Sequence, residues 1–500
     1  MIAFDLFGTL VELGERNLHR EVPRLLGVPG RRWVELVREH LLTTRFSDLE
    51  SFAAFVCREL AAGCGDRLRD ECARLIAREA DSAFVFDGVW SLLRFLKDRG
   101  FRLAVLSNVS SVHGEIVRRS GLDAWLDAAV FSCDEGRCKP DPEFYRSLCR
   151  RLEVGPEQIL VVGDSLPNDV EAPRAAGMLS RGVGSRAGGD ALGSVAEVGL
   201  LRLGGDAPLS RLFAVGESFR LGEDLVRVSS LRPLSDGEQG RHNLVFAGEV
   251  VSAGGGHGGR PLRVFVKRYL EPASAFVEEL AYRVQGIAGL PTCGTAIVDH
   301  GEPILVVEAA RGEKYTGDAS PPVAREIGRH FAFGYVFANA DLQPRNAVLG
   351  WEHGMPRLTM VDMEHCFLNL AVRPQDLERA ADPDAIDELG YEALARLASR
   401  RVLNERTLPR FRAAFLDRRT APRAALEAFG SGFLAAYAEL QRRQSEISRL
   451  IDARLGRRPP LLIGTTAYRR AMARADLADI GSRLAEDPAE VLARLLAGPC

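Results

Sequence analysis

The sequence predicts an α/β protein in which a parallel-sheet domain with a helical insertion precedes a second, α+β part. Three observations carry that reading. Short apolar runs alternate with helical stretches through the first 185 residues, a Gly- and Ser-rich stretch follows, and beyond it strand-like segments give way to helical ones. At 500 residues the chain is too long for one ordinary core, so two or three domains are expected.

The runs "MIAFD", "FRLAVLSN", "AAVFS" and "QILVVGD" are short, β-branched or aromatic in part, and several end in a polar residue. That alternation predicts βαβ units around a parallel sheet. The carboxyl ends of parallel strands meet in one crevice, where ligands bind. Asp5, Ser107 and Asp164 are therefore expected to converge, and Lys139, a short loop beyond "AAVFS", reaches the same place. Residues 14–85 are helical in pattern without strand signals and read as a cap inserted between the first strand and the rest.

Carboxylates, a hydroxyl and a lysine at one crevice suit phosphoryl chemistry. Asp5 can attack phosphorus as a nucleophile. Asp164 and Asp169, with Asp5 beside them, offer the oxygen ligands that the hard cation Mg²⁺ prefers. Ser107 and Lys139 can bind and neutralise phosphoryl oxygens.

Composition bounds the rest. Hydrophobic content of 46% with 27% charged residues belongs to a soluble globular protein. A net charge of −3 gives no reason to invoke nucleic acid or an anionic membrane. No apolar run approaches the roughly 20 residues that span a bilayer, and "MIAFDLF" lacks the basic start of a secretory signal. The nine cysteines are scattered, and Cys133 and Cys138 have the wrong spacing for a CxxC pair, so a reduced cytoplasm is the expected setting. Of the 65 basic residues only four are lysines: Lys97, Lys139, Lys267 and Lys314. In so Arg-rich a chain, a retained Lys marks a place for a compact ammonium rather than a planar fork.

The stretches "FDLFGTL", "LSN", "KPDPEFY" and "VVGDSLPNDVEAPRAAGM" resemble, in order, the four motifs of the haloacid dehalogenase-like hydrolases. The resemblance covers residues 1 to about 185 and implies a Rossmann-like sheet with a C1-type cap at about 14–85, an aspartyl-phosphate intermediate on Asp5, and Mg²⁺. It implies a phosphorylated small molecule as substrate. One position departs. Phosphatases of that family carry a second Asp two residues after the nucleophile, as acid and base, whereas this chain has Phe7. The family's dehalogenases have an aromatic residue there but need no metal, and "GDSLPND" keeps metal-type carboxylates. Phosphoryl chemistry is favoured, expected to be slow on esters with poor leaving groups and better on activated ones, unless a substrate group or a cap residue donates the proton.

Residues 186–210 read as a linker with little regular structure. Beyond it, "DGEQGRHNLVFAGEVV" and "PLRVFVKRYL" read as strands joined by the Gly-rich "SAGGGHGG". A helix with apolar residues at 276, 277, 280, 281 and 284 follows, carrying Glu278 and Glu279, and "TAIVDHG" and "PILVVEAA" make another hairpin. A Lys on a strand (Lys267), a Glu on the next helix and a β-rich lobe form a nucleotide-binding arrangement, in which the Glu orients the Lys and the Lys neutralises phosphate. Asp341 with Asn346 five residues on, then a strand ending in Asp362, is what kinase-type chemistry requires: one Asp takes the acceptor proton, while the Asn and the second Asp hold Mg²⁺.

Residues 215–370 resemble the atypical branch of the protein-kinase-like superfamily, with HipA-type and phosphatidylinositol-kinase-type proteins nearest and aminoglycoside phosphotransferases further off. "EELAYRVQGIAGLPT…PILVVE", "NADLQPRN" and "VDMEHCF" carry that likeness. It implies a bilobal domain over 211–500, its N-lobe at about 211–310 and its helical C-lobe at about 311–500. It also implies ATP as cosubstrate and Glu278 rather than Glu279 as the partner of Lys267. The His expected between loop Asp and Asn is replaced by Gln343 or Pro344. His242, His365 and Cys366 lack partners at ligand spacing and read as structural. The leading expectation is a hydrolase fused to a phosphotransferase. The alternatives are a hydrolase governed by a nucleotide-binding, inactive kinase-like module, and a scaffold with both sites weakened.

Overall fold

The computed structural model describes residues 1–15, 17–61, 64–187, 191–201, 215–235, 243–253, 261–269, 273–299, 303–339, 341–364, 366–367, 407–456 and 477–497. Two compact units emerge: Met1–Leu201 with Arg232–Leu244, and Arg202–Leu231 with Val245–Cys500. Among the described residues no helix is long and apolar enough to cross a membrane, and the eight described cysteines are all free.

The chain opens with β1 (Ile2–Phe4), wholly buried. Short strands β2 (Val11–Leu13) and β3 (Ala83–Val85) pair antiparallel, and between them four helices, Leu18–Leu26, Gly30–Leu36, Leu49–Leu60 and Asp66–Asp81, leave the sheet and return to it. These helices bury a core of their own, built on Val22, Trp33, Phe52, Val56 and Ile76. Each presents apolar residues at helical spacing, and the third starts on an Asp48–Ser51 capping box. The chain then supplies β4 (Leu103–Ser107), β5 (Ala128–Phe131), β6 (Leu160–Gly163) and β7 (Leu179–Gly182). The sheet runs β5-β4-β1-β6-β7, with every pairing parallel. Its inner strands β4, β1 and β6 are apolar runs because both faces are covered; helix Pro142–Leu152, for example, packs Phe144, Tyr145 and Leu148 beneath the sheet.

The expected linker is more structured than its composition suggests. Val183 bridges to Leu192, residues Val195–Leu200 form a 3₁₀ turn, and Val195, Ala196, Val198, Leu200 and Leu201 are buried in the first unit. Small apolar residues spaced among Gly and Ser are enough to pack a turn, and the Gly content hid them. Residues 188–190 and 202–214 lie outside the described residues.

The second sheet is formed by β8 (Ser218–Leu221), β9 (Asp224–Pro233), β10 (Asn243–Ser252), β11 (Leu262–Tyr269), β12 (Thr295–Asp299) and β13 (Pro303–Glu308), in the order β12-β13-β11-β10-β9-β8, all of it in the second unit but the end of β9 and the start of β10. Pairs β8–β9, β11–β13 and β12–β13 are antiparallel. Helix Ala273–Ile287 follows β11. The first hairpin, β8–β9, was not read from the sequence, since its exposed alternate positions carry Arg, Asp and Ser. A further sheet, β14 (Glu313–Lys314), β15 (Ala347–Glu352) and β16 (Met355–Met360), is interleaved with helix Pro321–Val336. Helices Thr407–Phe415, Arg423–Gly456 and Pro488–Ala497 complete the described chain, the first two packing with Pro321–Val336 around Phe331, Phe415, Phe429 and Phe433. The segments "SDGEQGRHN" and "SAGGGHGG", as well as His242 and His365, fall mostly or wholly outside the described residues; Cys366 is fully buried, as a structural thiol would be.

Candidate active site

The central strand of the first sheet places Asp5 one residue past its end, anchored by the bond from Asp5 N–H to the Val162 carbonyl at 2.8 Å. Its two neighbours, β4 and β6, end beside it with Ser107 and with Gly163 followed by Asp164. Lys139 arrives from the loop after β5. Its backbone is clamped by Asn108, which accepts the Lys139 N–H at 2.7 Å and donates to the Lys139 carbonyl at 3.0 Å. The Lys139 ammonium then donates to Asp5 Oδ1 at 2.9 Å and to Asp169 Oδ1 at 2.6 Å, all three groups being buried. Asp169 is held in turn by the Ser165 N–H on its other oxygen, at 3.0 Å. Oxygens of Asp5, Asp164 and Asp169 lie within 4.8 Å of one another.

Two glycines make these approaches possible. Gly8 has φ of +80°, and a Cβ on it would stand 2.4 Å from Asp164 Oδ2. A Cβ on Gly163 would stand 2.3 Å from the Asp169 Cγ. Both lie in the quoted motifs, yet only the folded chain shows which carboxylate each accommodates. Asn108 belongs to "LSN", and its clamp on Lys139 likewise needed the structure to be seen.

Electrostatics follow from burial. Desolvation pushes the Asp5 carboxyl up to about 6, with the Asp169 charge adding to the rise and Lys139 and Ser107 opposing it. Burial also works against the Lys139 ammonium, but Asp169 and Asp5 together outweigh it and hold its pKa above the ordinary range. The site opens into a cavity of about 470 Å³. Its lining combines the polar groups Asp5, Ser107, Lys139 and Asp164 with apolar cap side chains, Leu18, Trp33, Val37, Leu41 and Phe52, and the cap also contributes His19 and Glu79. Phe7 lines the cavity as well, edge-on to His113 with ring centroids 6.3 Å apart.

In the second unit the Lys267 ammonium donates to Glu278 Oε1 at 2.8 Å and to Asp362 Oδ1 at 2.5 Å. Glu279 instead pairs with Arg283. Burial opposes the Lys267 charge, and Asp362 and Glu278 more than restore it. Asn346 donates to Asp341 Oδ2 at 2.9 Å, and Gln343 and Arg345 bond the same carboxylate. The other two lysines serve the surface: Lys97 pairs with Asp127, and Lys314 lies exposed on β14.

A family model described as haloacid dehalogenase-like hydrolase matches residues 1–177. Among characterised proteins, a validoxylamine A 7'-phosphate phosphatase of Streptomyces hygroscopicus is 30% identical over 190 residues, which are 36% of this chain and 83% of that protein. A phosphorylated carbohydrates phosphatase of Thermotoga maritima is 30% identical over 163 residues, 32% of this chain and 66% of that protein. The crystal structure of a phosphatase of this class from Thermococcus onnurineus overlaps 39% of this chain and 94% of its own, at 21% identity and a TM-score of 0.30.

Two outcomes are expected. Gly8→Ala should displace Asp164 and weaken Mg²⁺ binding by about ten- to a hundredfold, the usual penalty for disturbing a ligand's support; calorimetric titration of the wild type and variant measures it, and equal affinities would refute it. Ionising Asp5 works against folding, because its folded pKa of about 6 exceeds the ordinary 3.8. That penalty is absent below about pH 4, where the carboxyl is protonated in both states, and complete above about pH 6. Metal-free Asp5→Asn, which still leaves Lys139 its Asp169 partner, should therefore melt no lower than the wild type at pH 7.5, with any gain vanishing near pH 4. A lower melting temperature at pH 7.5 would show that the Asp5–Lys139 bond outweighs the burial cost.

Proposed function

Because the chain belongs to the haloacid dehalogenase-like hydrolases, we propose that its first unit is a Mg²⁺-dependent phosphatase of small phosphate monoesters working through an aspartyl-phosphate. The observation that carries this is the Asp5–Lys139–Asp169 group with Asp164 beside it. Asp5 at the end of the central strand is the nucleophile: its carboxylate attacks phosphorus, the ester oxygen leaves, and water later cleaves the acyl phosphate. Ser107 and Lys139 take the phosphoryl oxygens, and Lys139 keeps Asp5 and Asp169 ionised together. The hard oxygen donors of Asp5, Asp164 and Asp169, brought within 4.8 Å, suit a Mg²⁺ ion. Such an ion would neutralise charge on the transferring phosphoryl group. This carboxylate set also argues against the metal-free dehalogenase reading that an aromatic residue at position 7 raises. The apolar cap side chains in the cavity lining favour an ester whose organic part is itself partly apolar.

A second reading concerns the other unit. Lys267 on a strand, salt-bridged to Glu278 on the following helix and to Asp362 after a later strand, is the arrangement that kinase-type nucleotide sites use. With Asp341 and Asn346 hydrogen-bonded five residues apart, it supports an ATP-dependent phosphotransferase with a β-rich and a helical lobe. Asp341 would receive the acceptor's proton, and Asn346 and Asp362 would hold the metal of bound Mg-ATP.

Asp5→Asn should abolish hydrolysis of aryl phosphates and, because it removes one of the three carboxylate donors, weaken Mg²⁺ affinity without abolishing it. Acid-quench trapping should yield a phosphoenzyme in the wild type and none in the variant; full turnover by Asp5→Asn would end the assignment. For the second unit, calorimetry should show Mg-ATP binding that Lys267→Ala and Asp362→Ala each weaken at least tenfold. Binding without transfer to any acceptor would assign it as a regulatory nucleotide module, and no binding in the wild type would remove the kinase-like reading.

A further inference from the structure

Phe7 leaves the proposed phosphatase without the carboxylate that would protonate its leaving group, and the cavity holds a different set of groups that can do so. Ser110 and His113 lie just beyond β4, and Ser110 Oγ is 2.8 Å from His113 Nδ1. The other ring nitrogen, Nε2, is buried without a hydrogen-bond partner and faces Glu79 Oε1 at 3.6 Å. Glu79 comes from the last cap helix, and its second oxygen, Oε2, accepts the N–H groups of Asn17 and Leu18 at 3.0 and 3.1 Å. That double bond to backbone fixes the carboxylate, so it cannot swing away from the imidazole. All three side chains line the same cavity as Asp5 and Asp164. The Phe7 and His113 rings meet in a T-shaped contact, so the position-7 side chain borders the imidazole.

Resting on the phosphatase reading above, we propose that Glu79, His113 and Ser110 form a proton relay that replaces the missing acid–base group at position 7. In the first half-reaction Asp5 bonds to phosphorus and the P–O bond to the alcohol breaks. The departing oxygen takes the Ser110 hydroxyl proton, Ser110 takes the Nδ1 proton of the His113 imidazolium, and Glu79 keeps the Nε2–H. In the second half-reaction water attacks the aspartyl-phosphate, its proton passes to Ser110 Oγ, and the Ser110 proton returns to Nδ1. Alcohol and phosphate leave, and the relay ends as it began. Burial raises the Glu79 carboxyl, but the His113 contact and the two backbone N–H groups outweigh it, keeping the group below its ordinary range and charged. The 3.6 Å gap is longer than a hydrogen bond, as catalytic contacts often are before substrate tightens them. Because Glu79 belongs to the cap helices and His113 and Ser110 to the sheet side, the relay is complete only when the cap is seated.

A bland alternative exists: Ser110 is the N-cap of the short turn Ser111–Gly114, accepting the His113 N–H at 3.4 Å, and His113 simply packs there. The two differ in leaving-group dependence. Full-length wild type, His113→Gln, Ser110→Ala and Glu79→Gln are assayed with Mg²⁺ on a series of phosphate monoesters from p-nitrophenyl to simple alkyl. The relay requires kcat/KM for alkyl esters to fall by about 10²–10⁴ in His113→Gln and Ser110→Ala, with p-nitrophenyl phosphate, which needs no acid, falling less than about tenfold. Glu79→Gln, which keeps shape and the backbone bonds, should shift in the same direction by a smaller factor. Equal losses on all esters, or none, in His113→Gln and Ser110→Ala would overturn the relay while leaving the phosphatase standing. No Asp5-dependent hydrolysis of any ester by the wild type would overturn both.

Discussion

The first unit depends on one buried ammonium. Lys139 donates to Asp5 and Asp169 at once, and Asp164 stands within 4.8 Å of both. Three carboxylates so close would repel one another and protonate if the site were neutral or empty of cations. Losing the ammonium would leave buried carboxylates unpaired, a change that typically costs about 3–5 kcal/mol, against a total domain stability of only about 5–15 kcal/mol. The surrounding sequence reads as provision for this contact. Asn108 clamps the Lys139 backbone from both sides, Gly163 clears the space that Asp169 fills, and Gly8 clears that of Asp164. The strand-end geometry supplies convergence, but the lysine lets convergent acids remain ionised.

Around that electrostatic core, the cap supplies much of the cavity wall. Its helices have their own hydrophobic core, so they can present Trp33, Leu41 and Phe52 to the cavity without relying on the sheet for order. The same helices carry Glu79, whose carboxylate ties down the start of helix Leu18–Leu26 and faces His113. The apolar side chains that line the cavity and the carboxylate that faces His113 thus come from one set of helices. Phe7 then reads as compatible with catalysis: it gives up a carboxylate and gains an aromatic wall beside an imidazole.

Much of this was legible beforehand because the informative signals are local. Parallel strands announce themselves as short apolar runs, and their polar terminators mark a crevice, so Asp5, Ser107, Lys139, Asp164 and Asp169 could be named together. The helical pattern over 14–85 is matched by helices from Leu18 to Asp81, but the strand Ala83–Val85 at the end of that range was not read, being too short to show a period. What stayed hidden depends on distance rather than pattern. The pairing of Glu79 with His113 joins residues 34 positions apart across two elements, with no periodicity to expose it. Residues 191–201 were read as linker because Gly and Ser dominate there, although a few buried Val and Leu side chains suffice to dock the segment. Hairpin β8–β9 escaped because its outward positions are charged.

The two buried lysines show why composition can carry structural information. In a chain that uses Arg almost everywhere, Lys139 and Lys267 are kept where one cation must serve two carboxylates. A compact ammonium with three donors can bridge acids that approach from different elements, whereas a planar fork favours one bidentate partner. The two sites are nevertheless built differently. Around Lys139 both partner side chains are nearly closed off, with exposures of 13% and 2%. Around Lys267, Glu278 is completely buried but the Asp362 side chain is half exposed, at 51%. A cation fixed by one sealed acid and one open acid keeps its position if the open acid turns to another ligand. A cation locked between two closed acids instead fixes the acids themselves. The first arrangement leaves one acid open to solvent beside the ammonium, and the second holds both acids still at the strand ends.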